Sequence, residues 1–345
     1  MKMGKASELS VLEVSFLKGV SVSAKRQSIK ENVIEKLLFL FTLMSSILIF
    51  FIIIFVVNKA VPVLKASGIN FILSGGWDEQ FVSAWLASAA KPVWEFGALP
   101  LIAGTVYTTL GALLIAVPLG LGAAIFLTEM CPVWLRTPLE SAVRLLAAIP
   151  SVIYGLVGLM VVVPFINAHF ISNELALKMI NTVALDGTSL LAGMVVLSMM
   201  LSPIFIALSS DALRAVPRQY KQASLALGVS HWRTIVKVML PVARKGIMAG
   251  AILACGRAIG EAIALSMVSG SVANLPSPAH GLVFFLEPLR TLASTIVDNG
   301  EGMGVVTCES ALFACGTLLL LSSVILSVFA RLVAGGVRRG DTAHV

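Results

Sequence analysis

The sequence predicts an all-α integral membrane protein of six transmembrane helices, and three observations predict it. Hydrophobic residues fill 58% of the 345 positions and charged residues only 12%, where a soluble domain carries about 25% charged residues. A soluble fold of this size cannot hide so much apolar surface from water, so lipid must cover it. Apolar runs of roughly 20 residues, the length that crosses a hydrocarbon layer, recur along the whole chain. Between them the density of Lys and Arg alternates from segment to segment, as it does when charge sets membrane orientation.

Residues 1–36 hold seven of the 25 Lys and Arg and are read as a cytoplasmic N-terminal segment. Val11, Leu12, Val14, Phe16 and Leu17 mix there with Glu13 and Lys18, a pattern that leaves a short surface helix and a disordered segment both open. Leu37–Val57 is 21 residues without a charge. That is longer than the ~7–15 residues of a signal-peptide core, so residues 37–60 are read as an uncleaved first transmembrane helix. Residues 61–99 form an external segment, whose Trp77, Trp85 and Trp94 suit a membrane interface. Four further charge-free runs follow at Phe96–Thr128, Leu145–Ala168, Gly187–Ser210 and Ser310–Ala330. The first of them is over-long, and its span is expected to begin near Pro100. Gly246–Met267 is apolar except for Arg257 and Glu261. These five later spans make a core over 100–334, with residues 335–345 as a cytoplasmic tail. The runs are too long for strands and lack the alternation of a membrane barrel.

Segments 1–36, 129–144, 210–245 and the tail from Arg331 hold 19 of the 25 Lys and Arg, and segments 59–99, 169–187 and 271–307 hold five. By the positive-inside rule both termini are cytoplasmic. The net charge of +7 therefore reflects orientation and not a nucleic-acid surface, because the basic residues sit between apolar runs and not on one face. Cys131, Cys255, Cys308 and Cys315 form no CxxC pair, and His169, His231, His280 and His344 form no cluster; no metal site, disulfide framework or cofactor is expected. No phosphate-cradling loop or nucleophile–base arrangement occurs, so the chain is not expected to hydrolyse ATP.

The segment 211–245 differs from the other loops. It carries seven basic residues and a Trp. Its small and apolar residues around Ala223, Leu225 and Leu227 suit a short helix closed by Gly228. A second helical stretch, His231 to Leu240, is expected to end at Pro241. Charge alone does not separate this helix–Gly–helix docking shape from an ordinary solvated loop.

The spacing does. Gln222-Ala223-Ser224, then Gly228 after three intervening residues, then Val238-x-Leu240-Pro241 after nine more resembles the Glu-Ala-Ala signature of ATP-binding-cassette (ABC) importer permeases. In that family this loop is the coupling helix seated on the ATPase subunit. Gln222 stands where the family has Glu, Ser224 where it has Ala and Val238 where it has Ile. Three more stretches are similar to PstC-type phosphate-importer permeases: Ala98-Leu99-Pro100-Leu101-Ile102-Ala103-Gly104-Thr105, Ala148-Ile149-Pro150-Ser151-Val152-Ile153-Tyr154-Gly155 and Gly256-Arg257-Ala258-Ile259-Gly260-Glu261. With Gly76-Trp77 these cover most of 70–270. The resemblance implies a type I (MetI-like) permease core in the bacterial inner membrane, translocating phosphate. Its implied partners are an ABC ATPase dimer, a second PstA-like permease subunit, an external phosphate-binding protein and membrane lipid. Another oxyanion (sulfate, molybdate or phosphonate), a secondary transporter or channel, and a phosphate-signalling scaffold are the competing readings.

Arg257 lies 11 residues after Gly246, about 16 Å along a helix axis and so near the middle of the hydrocarbon. An Arg at that depth is expensive and points to function. Glu261 is one turn further on, expected to hold Arg257 or to limit how tightly an anion binds; a buried pair locking two helices is the plain alternative. The resemblance likewise implicates this Arg and Glu in transport. Pro150, Tyr154 and Gly155 form a weaker candidate, a helix break lining the path. Asn274 and Ser269–Ser271 are read as solvated loop, and Glu309 as snorkelling to water.

Overall fold

The computed structural model describes the backbone of residues 4–87, 91–179 and 183–336, and the side chains of 34–87, 91–179 and 183–329. The chain divides into two units, residues 1–55 and 56–345. The first unit is helical from Gly4 onward, within α1 (Gly4–Ser67), so the choice left open for the N-terminal segment falls to helix. Residues 37–55 carry no charge on any side, as a lipid-embedded helix requires.

The second unit begins within α1. Two short helices follow, α2 (Asn70–Leu73) and α3 (Trp77–Leu86), then the long α4 (Leu99–Ile125). Next come α5 (Val133–Ala147), α6 (Ser151–Val157), α7 (Val163–Phe170), α8 (Asn173–Met179) and α9 (Leu190–Arg214). After these run α10 (Arg218–Ala226), α11 (His231–Thr234), α12 (Leu240–Ile259), α13 (Ile263–Val268), α14 (Leu292–Asp298) and α15 (Val306–Gly336). Wide π turns join α4 to its end at Met130, α6 to α7, and α11 to α12. Six helical stretches are long and apolar enough to cross a membrane: Ile34–Ser67, Leu99–Met130, Ser151–Phe170, Leu190–Arg214, His231–Ile259 and Val306–Phe329. They fall in the order of the six apolar runs. Among the described residues no strand forms; Gly270 and Leu289 make one isolated bridge.

α4 and α9 make the most extensive helix pairing, and small residues on α4 explain it. A methyl group at Gly111 would lie 2.3 Å from Met194 Cε, and one at Gly120 would lie 2.7 Å from Phe205 Cδ1. Lipid supplies no hydrophobic drive between helices, so close approach over small residues holds them together. α12 reaches α9 the same way, with Gly246 against Ala212.

Three expectations change here. Trp77 is fully buried: it packs with Phe71, Phe81 and Phe96 at ring distances of 5.5–6.5 Å, because Gly76 at φ +89° turns α3 back onto the bundle. It is a core residue and not an interface anchor. The second helical stretch of segment 211–245 does not stop at Pro241, since helix runs unbroken from His231 to Ile259. A proline lacks an N–H and its ring presses on the carbonyl four residues earlier, here Lys237, and the π turn over Ile235–Met239 widens the helix at that point. The run Gly246–Met267 is not one helix: α12 ends at Ile259 and α13 begins at Ile263.

Candidate functional site

Arg257 precedes the break between α12 and α13, Glu261 lies within it, and the two do not share a helix face. Arg257 occupies the last turn of α12 and is exposed. It makes no ion pair among the described residues. Two residues before and after it, Cys255 and Ile259 line an apolar cavity of about 350 Å³ together with Ile102, Leu110 and Leu318. At 100° per residue Arg257 points roughly 200° away from Cys255, to the opposite side of α12. Ala254 and Ala258 are buried against α4 and α9.

Glu261 is 9% exposed, and its Oε1 accepts a hydrogen bond from the Ala264 backbone N–H at 3.2 Å. The first N–H groups of a helix have no intrahelical partner, so Glu261 caps the restart at α13. The expectation that it holds Arg257 is not met. The sequence pattern hid this because an i,i+4 pair reads as one face only while the helix is continuous.

Of the weaker candidates, Pro150 directly precedes α6 with extended backbone (φ −58°, ψ 141°) and breaks the chain away from α5. Tyr154 packs against the clusters around Ala258 and Ala264 and donates to the Leu146 carbonyl at 2.8 Å. Gly155 lies inside continuous α6, where a methyl group would sit 2.9 Å from both Ala264 Cα and Met267 Sδ. It lets α6 lie on α13 and opens no break of its own. The structure thus gathers Arg257, Tyr154 and Glu261 around the restart of the fifth span.

The elbow is built as a hairpin of α10 and α11. α10 ends at Ala226, and Gly228 at φ +77° reverses the chain with open space around it. Ser230 then caps α11 by accepting from the Arg233 N–H. Ser224 is buried, with its hydroxyl 2.9 Å from that of Thr234, so this departure from the family pattern ties the two arms together. Gln222 and Ala223 are exposed on α10. Leu240 and Pro241 lie beyond the elbow in the first turn of α12. Around the bend Tyr220, Leu227 and Trp232 are 53%, 84% and 57% exposed, more apolar surface than a loop needs for itself. Arg214 pairs with Glu140 beside the elbow.

The opposite end of the bundle holds a network that the sequence did not reveal. Arg290, 9% exposed, donates to Asp78 Oδ1 at 2.7 Å and to Asn299 Oδ1 at 3.1 Å, and also to the Ser271 carbonyl. Its Nε lies 3.4 Å from Asp298 Oδ2 as an ion pair without hydrogen-bond alignment. Asp78 also accepts from the Ala273 N–H at 2.8 Å, and Asp298 from the Ser271 hydroxyl at 2.8 Å. Glu287, 1% exposed, takes His280 Nδ1 at 2.5 Å and Asn274 Nδ2 at 3.2 Å. Ser271 and Asn274 are therefore parts of a folded polar core and not solvated loop, and Glu309 pairs with Lys59 at 2.9 Å instead of standing alone in water. The signal available was a lone Arg between Leu289 and Leu292 in a charge-poor segment.

Residues 116–339 match the family model described as "Binding-protein-dependent transport system inner membrane component". The chain is 36% identical over 268 residues to the probable ABC transporter permease protein YqgH of Bacillus subtilis, covering 76% of this chain and 79% of the relative. It is 34% identical over 311 residues to the phosphate transport system permease protein PstC of Xylella fastidiosa, covering 86% and 90%. Among solved structures, an inward-facing MetNI methionine ABC transporter superposes with a TM-score of 0.47 at 18% identity, over 70% of this chain and 94% of that one. The chain therefore belongs to the inner-membrane component family of binding-protein-dependent transport systems, as a multi-pass permease subunit of the PstC type and a transport component, not an enzyme.

Proposed function

We propose that this chain is one half of the membrane pore of an ATP-driven importer for inorganic phosphate. The observation that carries the reading is Arg257: an exposed cation with no ion pair among the described residues, at a break in the fifth span of a PstC-type chain. A pathway cation has to attract an anion without trapping it, and an exposed Arg with no ion pair among the described residues suits that task. The bend of the elbow turns to the cytoplasm, as the excess of Lys and Arg in 210–245 and both terminal segments supports, and Tyr220, Leu227 and Trp232 seat against an ABC ATPase. A PstA-like subunit completes the pore and an external phosphate-binding protein delivers the anion to the opposite face. Sulfate, molybdate and phosphonate are disfavoured by the PstC-type relatives.

The test is uptake of labelled phosphate into proteoliposomes holding the whole complex, with sulfate and molybdate as competitors. ATP-dependent phosphate uptake that neither competitor reduces is expected. Uptake without ATP would mean a secondary transporter or channel, and displacement by sulfate or molybdate would move the substrate to another oxyanion. Gly228→Trp, at an open left-handed position, is expected to lower ATPase co-purification; undiminished association together with coupled uptake would sink the elbow's docking role.

A further inference from the structure

Glu129 is the acid in the segment Phe-Leu-Thr-Glu-Met, within the π turn that ends the second span. Its side chain is 8% exposed, and a single oxygen, Oε2, meets both arms of the elbow: Lys221 Nζ of α10 at 2.5 Å and His231 Nε2 of α11 at 3.3 Å. A carboxylate so withdrawn from water persists only where it is paired, and both partners lie some ninety or more residues along the chain. The residues flanking the elbow, Val216 before it and Ile235 and Met239 after it, share an apolar cluster with Ala124 and Ile125 of α4. Apolar contact is non-directional and tolerates sliding, whereas a charge-assisted contact fixes two points in register. Within the elbow the Ser224–Thr234 bond joins the arms to one another, but Glu129 joins both arms to α4, the helix most extensively packed on α9.

We infer that Glu129 is a positioning residue that makes the elbow and the second span move as one piece, so that displacement of the elbow reaches the α4–α9 pair. The inference rests on the proposed docking of the elbow to an ATPase. In its absence α10 and α11 keep their own fold and their exposed surface, but their motion is absorbed by sliding at the apolar contact.

The experiment uses the full complex in proteoliposomes, with Glu129→Gln and the charge exchange Glu129→Lys with Lys221→Glu. Chain abundance, ATPase co-purification, ATP hydrolysis and phosphate uptake are measured together. Glu129→Gln is expected to retain abundance, ATPase association and hydrolysis while phosphate moved per ATP falls about tenfold, the equivalent of about 1.4 kcal/mol. The charge exchange is expected to recover most of that ratio. A ratio in Glu129→Gln within twofold of wild type would overturn the inference. So would loss of ATPase association in that variant, or a charge exchange as poorly coupled as the single variant. Failure of the wild-type chain to co-purify an ATPase would instead refute the docking reading itself.

Discussion

Arg257 and Arg290 each sit in a charge-poor stretch of sequence, and their environments are opposites. Arg290 is buried and satisfied by Asp78, Asp298, Asn299 and the Ser271 carbonyl. Arg257 stands exposed at the end of α12 with no ion pair among the described residues, while the carboxylate four positions on is occupied in capping α13. A charge surrounded by fixed partners is a structural joint. A charge whose neighbours are engaged elsewhere is left for something that arrives. The first arginine is a structural joint, and the second has the environment that the proposed transport role requires.

The heaviest test of that assignment is Arg290→Ala. It strands Asp78 and Asp298 and releases the Ser271–Ala273 backbone. Breaking a buried pair costs ~3–5 kcal/mol, and the low end, about 3 kcal/mol, is expected because the Asp78 side chain is 42% exposed. Thermal unfolding in detergent reads it, and an unchanged midpoint would break the comparison. Next, Glu287→Ala takes the acceptor from the half-buried Ser277 N–H and one of two acceptors from Asn274 Nδ2, which keeps the Pro288 carbonyl; it is expected to cost about 1 kcal/mol, with Glu287→Gln closer to wild type. Glu261→Ala removes the cap of α13, about 1 kcal/mol, whereas Glu261→Gln keeps an accepting oxygen and is expected to unfold within a few tenths of a kcal/mol of wild type. Equal destabilisation by the two would show that charge, and not capping, keeps Glu261. Ser224→Ala restores the family's usual residue at the price of the bond to Thr234, an expected ~0.5–1.5 kcal/mol, with ATPase co-purification unaltered because Ser224 is buried.

The spans were legible because apolar runs long enough to cross a bilayer have few other uses. The elbow was legible because Gly228 is required by its left-handed backbone and leaves a spacing that can be read. What escaped were the long-range polar partners. Asp78 and Arg290 are 212 residues apart, and Glu129 and Lys221 are 92 apart. No local period connects such pairs, and each residue alone looks like ordinary loop charge. The break at Gly260–Ala262 escaped for a different reason. Gly260 is tolerated in a membrane helix, and the apolar run continues through it, so hydropathy sees one span where the backbone makes two pieces. Pro241 misled in the opposite direction, because a π turn let the helix pass a residue that usually ends one.

Replacing Arg257 by Gln tests the central claim most directly, with phosphate uptake and thermal stability measured on the same purified complex. An exposed position away from packed or paired groups changes stability by no more than about 0.5 kcal/mol, while losing a charge-assisted contact to the anion costs ~1.5–3 kcal/mol, or roughly tenfold to a hundredfold in uptake. Arg257→Gln is expected to unfold as the wild type does, to keep its ATPase, and to lose uptake to that extent. Uptake within twofold of wild type, or a loss of uptake matched by a loss of stability like that of Arg290→Ala, would contradict that claim.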